Sequence, residues 1–141
     1  MIALHAKDAS LVWEPRPDAA PLWRHCGPRV SAKALRPLAD QRTAASYSMD
    51  ADVPLDVAPV GGLGWFGPEM LRLRKADGSA LAVQFSHAEA AESEGAVRFT
   101  LRDALAGVEL QLTFATVGGA FVCGASLRNI GAESFDVDWL A

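Results

Sequence analysis

Val97-Arg98-Phe99-Thr100-Leu101-Arg102, followed after a short gap by Val108-Glu109-Leu110-Gln111-Leu112-Thr113-Phe114-Ala115, decides the fold. Apolar and polar residues alternate strictly in both runs, the period of a strand with one buried and one wet face. Gly118-Gly119 then separates the second run from a third, in which Phe121, Cys123, Ala125 and Leu127 share a face. Two glycines between two alternating runs suit a hairpin with a primed turn. A buried thiol is expected at Cys123, inside that apolar alternation. After the turn at Asn129-Ile130-Gly131 the scheme resumes with Phe135, Val137 and Trp139 opposite Asp136 and Asp138.

Working toward the N-terminus, Leu71 and Leu73 pair with Leu81, Val83 and Phe85 across the turn at Asp77-Gly78. Ile2 to His5, Ser10 to Glu14 and Leu22 to Cys26 read as short strands, with Pro15, Pro17 and Pro21 favouring edges. Ser31 can cap a short helix running to about Asp40, held to one or two turns by Pro37. It is the one helix expected. Thr43 to Asp52 is small and polar and reads as a loop. Strand follows strand with no helix between, so the chain is mainly β and its pairing antiparallel.

Composition fits one compact domain over residues 1–141: half of the residues are apolar and 21% charged, enough for a real core. The first 48 residues carry 7 basic and 4 acidic side chains, the remainder 6 and 13. A net charge of −4 with scattered arginines opposes phosphate binding, so no nucleic-acid partner is expected. No run of 18 apolar residues exists, which argues against a membrane partner, and Met1 to Asp8 lacks the pattern of a signal peptide. Cytoplasmic residence follows as the expectation. Two cysteines, Cys26 and Cys123, are too few for a disulfide framework and are read as reduced.

The candidate binding feature is Gly61-Gly62-Leu63-Gly64-Trp65-Phe66-Gly67-Pro68. Its glycines and proline bend the chain too sharply for a helix or a central strand, and they frame two large rings. An exposed Trp-Phe pair suits stacking against the apolar face of a sugar, which makes Gly64, Trp65 and Phe66 the candidate substrate-binding residues. The alternative is that the rings plug the loop onto the β core.

Catalytic groups are not expected. His25 and Cys26 are neighbours on an extended strand and point to opposite faces, so they do not form a thiol-base pair. His5, His25, His87 and the cysteines lack ligand spacing, while Glu89, Glu92 and Glu94 read as a solvated loop; no metal and no cofactor is expected. Asp136 and Asp138, two apart on a strand, lie roughly 7 Å from one another on the wet side, weak ground for a glycosidase pair.

The Gly61 to Pro68 loop resembles the Gly-x-Gly aromatic loop in the N-terminal domain of melibiase-type α-galactosidases, the family-36 glycoside hydrolases. Pro21-Leu22-Trp23-Arg24-His25-Cys26-Gly27-Pro28-Arg29-Val30 is similar to that family's early strand, and Leu127-Arg128-Asn129-Ile130-Gly131 to its Leu-x-Asn-x-Gly turn. Cys26 stands where the family usually has Trp, and Trp65 and Gly67 where many members carry Asp and Arg. The resemblance implies an antiparallel β-sandwich, a supersandwich of the galactose-mutarotase-like kind, with chemistry done by a separate (β/α) barrel. That barrel needs about 250 residues and does not fit in this chain. Lys75-Ala76-Asp77 matches the family's nucleophile motif in letters only, since it precedes Gly78 at a turn.

A piece of a larger enzyme is thus expected, inactive alone, with the missing barrel as its partner. Phe135 to Ala141 stops inside an apolar strand, and the edges left open invite a homodimer. The resemblance further implies that the loop reaches toward a neighbouring subunit's sugar pocket, with Trp65 as a stacking wall and a galactoside as ligand. The alternative function is a free-standing carbohydrate-binding or protein-interaction sandwich.

Overall fold

The computed structural model describes residues 1–31, 34, 55–65 and 67–141. Ten strands account for most of them: β1 (Ile2–His5), β2 (Ala9–Arg16), β3 (Ala19–Pro28), β4 (Leu71–Lys75), β5 (Ala80–Leu81), β6 (His87–Ser93), β7 (Ala96–Asp103), β8 (Val108–Val117), β9 (Ala120–Asn129) and β10 (Phe135–Leu140). All pairings are antiparallel, in sheets ordered β1-β2-β3, β10-β4-β5 and β6-β7-β8-β9. The expectation of a mainly β antiparallel sandwich holds. Of the helix read near residues 31–40 only Ser31 and Ala34 are described, with Ala34 N–H donating to the Ser31 carbonyl at 2.9 Å; its remainder, like the loop from Thr43, lies outside the described residues.

Alternation places Val97, Phe99 and Leu101 of β7 and Val108, Leu110, Leu112 and Phe114 of β8 on one buried face. Sheet β1-β2-β3 packs on that face, with β1 across β8 and β2 and β3 across β6. Trp13 of β2 is the pivot of the packing. Fully buried, it sets its ring centroid 5.2 Å from Phe99, 4.9 Å from Phe114 and 5.1 Å from Trp23. Tilted and edge-on aromatic pairs at these separations add to the burial of their area. The third sheet contributes Leu71 and Leu73 to the same core.

Hairpin β8-β9 turns on Gly118 and Gly119, at φ 57° and 90°, the positive angles that a primed two-residue turn demands. Three details differ from the sequence reading. Val83 and Phe85 are buried, but β5 ends at Leu81, so they enter the core from an irregular segment rather than as partners of β4. In β10 the register slips between Val137 and Trp139. The bulge inserts Asp138 and reverses the faces beyond it, so Leu140, not Trp139, returns opposite Leu71, and Trp139 stands out half exposed. Cys123 is exposed rather than buried, although it lies opposite buried Phe114. The core-side layer stops short of β9.

Segment 55–57 covers the far edge of β3. Trp23 N–H donates to the Leu55 carbonyl and Val57 N–H to that of Pro21, and Asp56 bridges to Leu22. Asp56 is 2% exposed; its carboxylate accepts from Arg16 Nη2 at 3.2 Å and from Ala58 N–H at 3.0 Å. Burial pushes its carboxyl above the usual range, against the smaller opposing pull of the Ala58 amide and of Arg16.

A charged row crosses the outer face of β6-β7-β8-β9, because His87, Arg102, Glu109 and Arg128 are successive cross-strand neighbours. Arg102 Nε donates to Glu109 at 2.7 Å, Arg128 reaches its other oxygen at 2.9 Å, and Glu89 accepts from His87 at 3.1 Å. The Arg102 hydrogen bond, first, and then Arg128 hold the Glu109 carboxyl below its ordinary value near 4.5. A depressed folded-state value means that its stabilisation is present above about pH 4.5 and is lost as acid titrates the folded carboxylate. The urea midpoint should therefore fall below that pH, and by less in Glu109→Gln than in the parent; equal acid sensitivity in both would contradict the assignment.

Candidate functional site

Loop 61–68 leaves the core at Val60, which is buried, and returns where Met70 N–H donates to the Pro59 carbonyl at 2.8 Å. Gly61–Leu63 form a 3₁₀ turn, and Gly64 ends it at φ 74°, its N–H bonded to the Gly61 carbonyl at 3.0 Å. A residue with a Cβ is strained at that angle. Gly64 thus serves the turn itself, which sets the direction in which the next residue leaves.

That next residue is Trp65, half-buried, with its Nε1 donating to the Pro68 carbonyl at 2.9 Å. A Cβ on Gly67 would come within 2.5 Å of the indole, so the ring rests directly on the Gly67 backbone. Trp65 is accordingly folded against its own loop instead of reaching outward, and its polar handle is satisfied internally. The ring surface left to solvent is apolar. Phe66, the second ring of the sequence reading, lies outside the described residues.

Two polar side chains that the sequence reading passed over stand beside the loop. Glu69 lies against Gly61 and accepts from Arg72 Nε at 3.2 Å. Together with Gly62, Leu73 and Val83 they line a shallow hollow of about 260 Å³. The only sequence signal for the pair is its i, i+3 spacing beyond Pro68. The hollow offers one carboxylate and one guanidinium, groups able to bind hydroxyls, and Trp65 is not among its lining residues.

A second, more apolar hollow of about 430 Å³ runs along Trp23, Cys26 and Leu55. Trp23 turns inward, its ring 5.5 Å from Phe114, and does not fill the space beside Cys26. Cys26 is exposed and His25 Nε2 bonds to the Pro28 carbonyl at 2.8 Å, so no thiol-imidazole pair forms.

Asp77, Asp138 and Glu89 have structural partners. Asp77 accepts from the Ser79 hydroxyl and amide in the β4-β5 turn, bonds that hold its carboxyl below the usual range. Asp138 pairs with Arg74, and Glu89 with His87 and Arg102. Among the described residues no three His, Cys, Asp or Glu side chains could hold a metal ion, and no helix is long and apolar enough to cross a membrane.

No family model and no curated protein matches the sequence. Solved structures do match the fold. The chain is similar to the family-36 α-galactosidase AgaA of Geobacillus stearothermophilus, with a TM-score of 0.74 and 19% identity over 99% of this chain and 23% of that one. A variant of the same enzyme in complex with raffinose gives 0.71 and 20% over the same shares. The galactosidase domain of the α-galactosidase-sucrose kinase AgaSK gives 0.69 and 17%, again over 99% and 23%. The chain therefore has the fold of a part of these enzymes and spans about a quarter of their length.

Proposed function

We propose that this chain is the non-catalytic N-terminal β domain of an α-galactosidase-like glycoside hydrolase, in which it supports the catalytic barrel and contributes to oligomer assembly. The observation that carries the reading is the lopsided match: nearly all of this chain corresponds to under a quarter of an α-galactosidase. Two free, exposed thiols suit a reducing compartment, and we place the protein in the cytoplasm.

In this reading the Gly61 to Pro68 loop presents Trp65 as an apolar platform to a galactoside, while Glu69 and Arg72 line a hollow next to Gly61 and Gly62. The 141-residue chain should give no turnover of an aryl α-galactoside, whereas the complete reading frame should. In that enzyme Trp65→Ala should raise KM for raffinose about tenfold with kcat little changed, the mark of lost uniform binding. Turnover by the 141-residue chain, or a complete product without glycosidase activity, would overturn the proposal. A free protein-interaction sandwich is the second reading, favoured by exposed Val122, Val137 and Trp139.

A further inference from the structure

We propose that the outer face of β4 and β10 is a binding surface for a neutral pyranoside, with Trp139 as the stacking platform and Arg72 and Glu69 as the hydroxyl partners. The surface is separate from the Gly61 to Pro68 loop and does not require the proposed function.

The bulge at Asp138 is what puts the ring there. Plain alternation from Val137, which lies opposite core-facing Leu73, would carry residue 139 onto the core side; the inserted residue turns Trp139 to the other side, opposite exposed Arg72. Bulges recur beside binding sites, where they re-aim a side chain. At 52% exposure Trp139 is the one aromatic among the exposed large apolar side chains of the described residues. Its indole N–H has no hydrogen-bond partner among them.

Polar groups stand next to the ring. β4 lies between β10 and β5 in its sheet, so Arg72 has Trp139 on one side, one strand spacing of about 4.8 Å away, and on the other the hollow of about 260 Å³ that it lines with Glu69. Only Nε of Arg72 is engaged, on Glu69 at 3.2 Å, and the side chain is 64% exposed, which leaves its Nη donors open to a ligand. Glu69 supplies the acceptor. A hollow of this size falls below the roughly 300–1,000 Å³ of pockets for drug-sized ligands and suits one small ring.

Charge selects the class of ligand. Arg74 bonds to Asp138 and lies opposite Asp136, so this face sets Arg72 and Arg74 against Glu69, Asp136 and Asp138, a balance that opposes an anion such as phosphate. A protein partner fits poorly as well, because Val137 is on the core side of the strand and Trp139 is a lone ring among charges, not the centre of an apolar patch. One apolar ring face beside mixed donors and acceptors matches a sugar, whose C–H face stacks while its hydroxyls take both kinds of partner.

Binding of methyl β-D-glucopyranoside to the complete reading frame product tests this, in a Trp65→Ala background so that the loop contributes nothing. An α-galactosidase does not cleave this probe. Saturation-transfer NMR should show transfer to its ring C–H protons, and titration should give a saturable curve that Trp139→Ala weakens at least about tenfold, with Trp139→Phe restoring part of the loss. Arg72→Ala should weaken it several-fold. Both side chains lie outside the core, so these variants should keep the parent's urea midpoint. Mannitol, which has hydroxyls and no ring face, should bind at least about tenfold more weakly than the pyranoside. Absence of saturable binding, a curve unmoved by Trp139→Ala, equal binding of mannitol, or a Trp139 emission shielded from acrylamide quenching in the complete product would each overturn the proposal. The raffinose KM of Trp65→Ala reads the proposed function alone, so either can fail without the other.

Discussion

Trp13→Ala should abolish or nearly abolish cooperative folding, with a loss of about 3–5 kcal/mol. The residue is fully buried and touches rings from both layers, Trp23 on its own sheet and Phe99 and Phe114 on the other, so its removal opens a cavity where the sheets are pinned together. Against a typical total of about 5–15 kcal/mol the effect is large. Its indole nitrogen, moreover, is buried with no hydrogen-bond partner. A donor left unsatisfied costs about 1–3 kcal/mol, so Trp13→Phe, which shrinks the ring but deletes the orphan, should lose less than half of what alanine loses. Urea unfolding followed by far-UV circular dichroism measures both. An alanine variant within about 1 kcal/mol of the parent would show that the sheets are held elsewhere.

Strands β7 and β8 were legible because each alternates core-facing apolar residues with more polar ones. Ile2–His5 emerges with the bounds read for it as a short strand, and the pairing of β7, β8 and β9 keeps the period-two faces. What alternation cannot encode is whether a second layer covers the apolar face. Cys123 obeys the period and still lies open, although Phe121 and Leu127 on the same face of β9 pack against the core. Nor can it reveal which residue a bulge will insert, since Asp138 becomes the extra one only through pairing with β4; Trp139 was therefore read on the wrong face. At the candidate site the glycines announced a sharp loop, and Gly64 indeed requires its positive φ. That Trp65 would lie back on Gly67 and bond to Pro68 was not legible, for the closure is a contact of backbone with ring that no pattern of residue types specifies.

Asp56 supplies the second large effect, and it too lies beyond pattern reading, since Arg16 is 40 residues away. Asp56→Ala should lose about 2–3 kcal/mol, because the buried Ala58 N–H and the Arg16 guanidinium are both left without their acceptor. Asp56→Asn should behave otherwise. Its amide oxygen still accepts from Ala58, and it carries no charge for burial to penalise. Desolvation dominates the shift of the folded carboxyl above its ordinary value of 3.8. A raised folded-state value means that the stabilisation tied to Asp56 is fully present below about pH 3.8 and is lost as pH rises through the folded value. Asparagine should hence match or exceed the parent at neutral pH and lose that standing in acid, an order of stabilities that urea titrations at pH 3 and pH 7 would read directly. If asparagine instead falls as far as alanine at both values, the ion pair with Arg16, and not the burial of a lone charge, governs how segment 55–57 is fastened to β3.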